Sequence, residues 1–217
     1  MKNISDIQHT FYINLDSRAD RKEHVENQLR TIGINNPGRF AAIQNKNGAI
    51  GCTLSHIKCL EYAKEHGWEH VLIVEDDILF LNPFVFTQSF NHFLSNNKTF
   101  DVVLLAGNNV SVFKEIDKSC IKVLKCQCAT GYLVQKHYYE TLLQNYREGL
   151  SQLMKYPRQH TQFAIDQYWF RLQGIHNWYL ITPLTVIQKE GYSDIERRNT
   201  NYRETMLDLY KNWRFTD

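Results

Sequence analysis

VLIVEDDILF, residues 71–80, runs four aliphatic side chains straight into three acids, Glu75, Asp76 and Asp77. A short apolar run without polar alternation reads as a strand covered on both faces, the kind found in parallel α/β sheets. Ending such a strand on three carboxylates is costly, because like charges repel and burial penalises the ionised form. Something positive must sit among them. Side chains alternate along a strand, so Glu75 and Asp77 are expected to project to one side as an acid-x-acid pair. Hard oxygen ligands with no nearby Cys or His suit Mg²⁺ or Mn²⁺ rather than zinc, with phosphate oxygens completing the shell. The competing reading is a solvated acidic turn, or a helix start where acids meet the dipole. The buried-strand context favours the metal.

Working outward, HTFYINL (9–15) is another apolar, β-prone stretch. It stops at Asp16-Ser17, where Ser17 and Asp20 have the spacing of a capping box. The helix that follows carries Val25, Leu29 and Ile32 on one face and closes at Gly33, so the loop before it holds Asn14, Asp16, Arg18 and Arg21. GAIGCTLSHIKCLEYAKEHG (48–67) gives a turn and then a helix, with Leu54, Ile57 and Leu60 inward and Gly67 as the stop. This places Ser55 and His56 in a first helical turn, where free backbone N–H groups can receive an anion. A polar side chain capping its own helix fits the same sequence equally well. FDVVLLAG (100–107), residues 121–134 and WYLITPLTVIQ (178–188) supply later strands, and HYYETLLQNY (137–146) and HTQFAIDQYWFRL (160–172) read as helices.

Strands alternating with helices predict one α/β domain over residues 1–217, with a mostly parallel central sheet flanked by helices. Ligands of such sheets sit beyond the carboxyl ends of the strands. The EDD triplet, the NLDSR loop and AGNN (106–109) all fall there.

Bulk composition narrows the function. The chain has 217 residues, 43% of them hydrophobic and 22% charged, with a formal net charge of +2. These values exclude a disordered chain and a strongly basic nucleic-acid binder. Five cysteines without a C-x-x-C encode neither a disulfide framework nor a zinc ribbon, and Cys126-x-Cys128 reads as strand. No apolar run approaches membrane-spanning length and no signal-type h-region opens the chain, so a cytoplasmic setting is expected. His66-Gly67-Trp68-Glu69-His70 matches H-x-x-E-H, but Gly67 ends the helix that this zinc chemistry needs. P-loop, G-x-G-x-x-G and G-x-S-x-G patterns are absent.

Three further acids stand out. Asp166 lies in AIDQYWF (164–170), amid apolar and aromatic residues, where partial burial would raise its pKa and suit it to accept a proton. Asp194 and Glu196 lie beside Arg197 and Arg198 in EGYSDIERR (190–198), which by itself reads as a surface charge run.

Taken in order, YINLDSRADR (12–21), RFAAI (39–43), GAIGCTLSH (48–56), VLIVEDD (71–77), TGYLV (130–134), AIDQYWF (164–170) and the Q-x-x-x-x-SDI ending (188–195) resemble glycosyltransferase family 25 across nearly the whole chain. That family includes bacterial lipooligosaccharide and collagen hydroxylysine galactosyltransferases. The resemblance implies a GT-A fold and inverting transfer of a hexose, foremost galactose from UDP-galactose, to a hydroxyl on a glycan or a collagen-like hydroxylysine. The EDD triplet then looks like a D-x-D motif with glutamate first, Glu75 and Asp77 holding Mn²⁺ (or Mg²⁺) against the donor diphosphate, with Asp76 beside them. It further implies Ile13, Asn14, Leu15 and Arg18 at the uridine, Arg21, Ser55 and His56 at phosphate or ribose, and Thr130, Gly131 and Tyr132 around the sugar. Asp166 is the expected catalytic base, with Asp194 as second choice or a further metal-side ligand. The rival readings are a UDP-glucose-dependent transferase, a catalytically inactive nucleotide-sugar-binding module and a metal-dependent nucleotidyltransferase. The last is disfavoured because INLDSRADR is not a glycine-rich basic loop.

Overall fold

The computed structural model describes residues 1–96, 99–193, 195–196 and 198–211. In chain order the first half runs β1 (Thr10–Asn14), α1 (Ala19–Thr31), β2 (Gly38–Ala41), α2 (Gly48–Glu65), β3 (His70–Glu75), β4 (Ile78–Phe80), α3 (Pro83–Ser95) and β5 (Val102–Leu104). Short strands β6 (Asn108–Asn109), β7 (Phe113–Asp117), β8 (Cys120–Val123) and β9 (Cys126–Gln127) lead to β10 (Gly131–Gln135) and α4 (Tyr139–Lys155). The remainder comprises α5 (His160–Phe163), α6 (Ile165–Tyr168), α7 (Phe170–Gln173), β11 (Trp178–Ile181), β12 (Val186–Gln188), β13 (Gly191–Ser193), β14 (Arg198–Thr200) and α8 (Arg203–Leu207).

Eight strands form one sheet in the order β2-β1-β3-β10-β5-β11-β8-β7. Following the pairings across it, six strands point one way and two, β10 and β8, run against them. The expected α/β fold with a mostly parallel central sheet flanked by helices is therefore present. The alternation of β3 explains its composition. Leu72 and Val74 face a core layer built with Val25 and Leu29 of α1 and Phe86, Phe90 and Phe93 of α3. Val71 and Ile73 face the opposite layer, with Ile57 and Leu60 of α2, Leu142 and Tyr146 of α4, and Trp169. Each fully buried side chain of this size contributes about 1.5–3 kcal/mol relative to exposure, and a strand covered on both sides has no use for a polar face.

Local chemistry sets the ends of the elements. Gly33 and Gly67 adopt positive φ after α1 and α2, as expected of glycine stops. Gly67 also separates His66 from β3, so the H-x-x-E-H pattern never shares a helix. Ser17 does not cap α1. Arg18 holds the N-cap position without a side-chain cap, and its guanidinium engages Asp20, the residue a capping box would need. α2 begins earlier than its first polar cluster suggests, because Asn47 caps it by accepting from the Ala49 N–H. Residues 160–172 are not one helix. Ala164 is extended, with ψ of 154°, and separates α5 from α6, while α6 and α7 divide at Trp169, whose indole N–H donates to the Cys126 carbonyl.

Candidate active site

β1 and β3 lie side by side in parallel, with Ile13 paired to Glu75, so the loops after both strands open at one end of the sheet. Between those loops, the start of α2 and the segment after β12 lies a cleft of about 380 Å³. Glu75, Asp76 and Asp77 all line it, although not by the predicted strand alternation. β3 stops at Glu75, and Asp76-Asp77 form the turn into β4, which pairs with β12 on a separate small sheet. The turn, not the pleat, brings the carboxylates together.

Each acid is held differently. Asp76 accepts from Asn14 Nδ2 at 2.8 Å and from Arg21 Nη1 at 3.0 Å. Asn14 is itself 1% exposed and fixed by Arg39, whose Nε donates to its Oδ1 at 3.1 Å. Burial still raises the Asp76 carboxyl above its ordinary value, against these donors. Asp77 receives Gln188 Nε2 at 2.9 Å and lies 3.4 Å from Arg21 Nη1, while its buried Oδ1 has no hydrogen-bond partner. Burial first, and the Glu75 charge second, push Asp77 up to about 7. Glu75 goes the other way. Burial would raise it, but contacts from His56 and Cys52 hold it below the usual carboxylate range.

The positive charge demanded by the sequence is thus Arg21, shared between Asp76 and Asp77. It leaves an acceptor atom of Asp77 unmet. A buried carboxylate oxygen without a donor, next to a second carboxylate on the same cleft, fits a hard divalent cation such as Mn²⁺ or Mg²⁺. The surroundings are not oxygen alone, however. Cys52 Sγ and His56 Nε2 each lie 3.4 Å from Glu75 Oε1.

Among the other expected residues, Ile13, Leu15, Arg18, Arg21 and Ser55 line the cleft. Ser55 spends its hydroxyl on structure, donating to the Gly51 carbonyl and accepting from the Ile43 N–H, which ties the loop after β2 to α2. Asn14 sits beneath the cleft as a support for Asp76 and is not part of the lining. His56 is fully buried in the third turn of α2, so the free amides of a helix start are not beside it, and its Nδ1 pairs with the Tyr132 hydroxyl at 2.9 Å. Thr130, Gly131 and Tyr132 are buried at the start of β10, where the Thr130 carbonyl accepts the Glu75 N–H. A Cβ on Gly131 would lie 2.9 Å from Ile78 Cδ1, so that glycine makes room for the core rather than for a ligand.

Asp166 lies in the first turn of α6, half-buried, accepting from the Cys128 N–H at 3.0 Å. Burial, reinforced by the Glu75 charge, raises its carboxyl. It does not line the cleft itself. Asp194 lies outside the described residues. Sequence reasoning missed the roles of Arg39, Cys52 and Gln188. Arg39 and Gln188 open two of the family-matching stretches, and Cys52 lies four residues before His56, on the same face of α2.

Comparison with known proteins adds an independent observation. Residues 46–169, more than half of the chain, match the family described as glycosyltransferase family 25 (LPS biosynthesis protein). No curated protein matches the chain. Among solved structures, a glycosyltransferase involved in glycosylation of the major capsid of PBCV-1 shares 11% identity and a TM-score of 0.42, over 87% of this chain and 95% of that one. A mannose-1-phosphate geranyltransferase from Thermus thermophilus shares 9% identity and a TM-score of 0.42 over 79% of this chain, which spans only 58% of that enzyme. A Drosophila galactosyltransferase, solved with manganese, UDP-Gal and xylobiose, shares 12% identity and a TM-score of 0.34, over 62% of this chain and 51% of that one.

Proposed function

The chain belongs to glycosyltransferase family 25 and is a glycosyltransferase, and on that premise we propose that it moves a hexose, foremost galactose, from a UDP-sugar to an acceptor hydroxyl with inversion. The observation that carries the finer reading is the convergence of Glu75, Asp76 and Asp77 on one cleft, with a buried Asp77 oxygen lacking a donor. Glu75 and Asp77 would hold Mn²⁺ or Mg²⁺, which when bound supplies Lewis-acid stabilisation of the departing diphosphate.

The protein's own groups do the rest. Arg21 is fixed between Asp76 and Asp77 and brings a guanidinium to the cleft wall, where it can offset phosphate charge. Ile13 and Leu15 offer apolar surface and Arg18 a cation at the same wall, a combination suited to a nucleoside. Transfer breaks the bond from the anomeric carbon to the phosphate oxygen and forms one to the acceptor oxygen, through an oxocarbenium-like transition state. The acceptor proton goes to a base, for which the raised carboxyl of Asp166 is suited. The acceptor is a glycan or a hydroxylated side chain of a collagen-like protein.

The test is UDP release from UDP-galactose, UDP-glucose and UDP-N-acetylglucosamine, one at a time, with Mn²⁺ present. Release from one donor, abolished by chelation and in Asp77→Ala, supports the reading and names the sugar. Absence of both release and Mn²⁺-dependent UDP binding would overturn it in favour of an inactive module.

A further inference from the structure

Glu75 faces two different chemistries. On one side lie Asp76 and Asp77, all oxygen. On the other lie a thiol and an imidazole, both presented by α2. Cys52 and His56 are one helical turn apart, so their side chains stack on one face, and that face packs against the end of β3. The three ligand atoms, one from each of Cys52, His56 and Glu75, lie within 4.8 Å of one another.

The spacing is informative. Zinc bonds of about 2.0–2.3 Å in a tetrahedron place neighbouring ligand atoms roughly 3.3–3.7 Å apart. Cys52 Sγ to Glu75 Oε1 is 3.4 Å, and His56 Nε2 to Glu75 Oε1 is 3.4 Å. The imidazole contact is long for a hydrogen bond made by nitrogen, and both distances are close to the edge of a coordination tetrahedron. The imidazole is also oriented as a ligand would be. Its Nδ1 is engaged by the Tyr132 hydroxyl at 2.9 Å, which leaves Nε2 as the atom directed at Glu75 and fixes the ring plane. His56 and Tyr132 have no exposure to solvent, so this support is rigid. Cys52 and Glu75, by contrast, both line the cleft, and a fourth coordination position therefore opens toward it.

We infer that Cys52, His56 and Glu75 form a site for a thiophilic divalent cation of the zinc class, with its fourth position open to the cleft. Three protein ligands of mixed sulfur, nitrogen and oxygen type plus one open position is an arrangement zinc accepts readily, and one that Mn²⁺ and Mg²⁺ do not favour. Binding displaces the thiol proton to solvent and needs no redox step. The site is distinct in its donors from the oxygen set of Asp76 and Asp77, but it shares Glu75. An ion held there takes Glu75 away from Asp77, so on the transfer reading given above it would act as an inhibitor. The site itself does not depend on that reading.

Co²⁺ is the probe, added to the metal-free protein while the near-ultraviolet thiolate-to-cobalt charge-transfer band is followed. The expected result is a band that saturates at one equivalent and is bleached by Zn²⁺. It should be absent in Cys52→Ser, weakened at least tenfold in affinity in Glu75→Gln, and unchanged in Cys128→Ser and Asp77→Asn. No band in the unmodified chain, or a band that survives Cys52→Ser, overturns the inference. Asp77→Asn separates the two conclusions, since it should abolish Mn²⁺-dependent UDP binding and leave the cobalt band intact.

Discussion

Arg21 Nη1 lies 3.0 Å from Asp76 Oδ1, across 55 residues of sequence, and the same nitrogen lies 3.4 Å from Asp77 Oδ2. One cation from the first turn of α1 therefore stabilises two acids of the turn after β3. Both partners of the Arg21–Asp76 pair are largely buried, at 18% and 11% side-chain exposure, so solvent screens the contact little. Arg21→Met leaves two buried carboxylates without their cation and should cost about 3 kcal/mol of stability. A urea midpoint equal to that of the unmodified chain would refute this. Adding Asp76→Asn to the variant should recover part of the loss.

Gln188 is the partner that holds Asp77 from the far end of the chain. Gln188→Leu keeps the approximate volume and deletes the donor, worth about 1.5–3 kcal/mol where the acceptor is charged. Mn²⁺-dependent UDP binding, measured by calorimetry, is expected to weaken by roughly tenfold, the equivalent of about 1.4 kcal/mol. The fold should survive, because Asp77 keeps Arg21.

Gly51 tests packing at the cleft floor. In an ordinary helix interior, Gly→Ala stabilises by about 1 kcal/mol. Here the added Cβ would meet the Ile43 carbonyl oxygen at 2.5 Å, and backbone cannot rotate away. Gly51→Ala should reverse the usual sign and destabilise by about 1–3 kcal/mol, the range for overpacking, with a lower thermal midpoint.

His70 sets an acid limb of stability. It is 8% exposed at the start of β3, and burial lowers its pKa below the ordinary 6.5. The fold therefore favours neutral imidazole. That contribution is complete above pH 6.5 and is lost as pH falls through the depressed folded value. Denaturation midpoints should fall across that window, and His70→Gln should flatten the slope there. An unchanged slope in the variant would assign the acid sensitivity to other groups, such as His24, whose pKa burial also lowers.

Asp166 is expected to shape the rate profile. Burial raises its carboxyl above the ordinary 3.8, so transfer that uses it as a base should climb with pH through a limb displaced to higher pH. Asp166→Asn should remove turnover while Mn²⁺-dependent UDP binding persists. Loss of binding together with turnover would instead make Asp166 a structural residue.

Much of this was legible in the chain itself. The apolar run 71–74 announced a strand covered on both faces, and Leu72 and Val71 do face opposite core layers. Gly33 and Gly67 marked helix ends, and the acid triplet marked one wall of the cleft. What failed were inferences from local rules where tertiary contacts competed. Ser17 and Asp20 had capping spacing, yet Arg18 claims Asp20. Residues 160–172 had helical pattern, yet the chain breaks at Ala164 and a buried Trp169 hydrogen bond lies beyond it.

The sequence alone determined the layered α/β fold, the buried strand that leads into the acids and the family to which the chain belongs, because apolar periodicity and short-range motifs are local properties. Only the tertiary structure decided which cation neutralises those acids, which side chains support them, and that a thiol and an imidazole reach Glu75. These depend on groups as far apart as Asp77 and Gln188, separated by 111 residues, which are brought together by the turn after β3 and the return of β12 beside β4. Hydrogen bonds and charges act over a few ångströms in space, and position along the chain does not encode that distance.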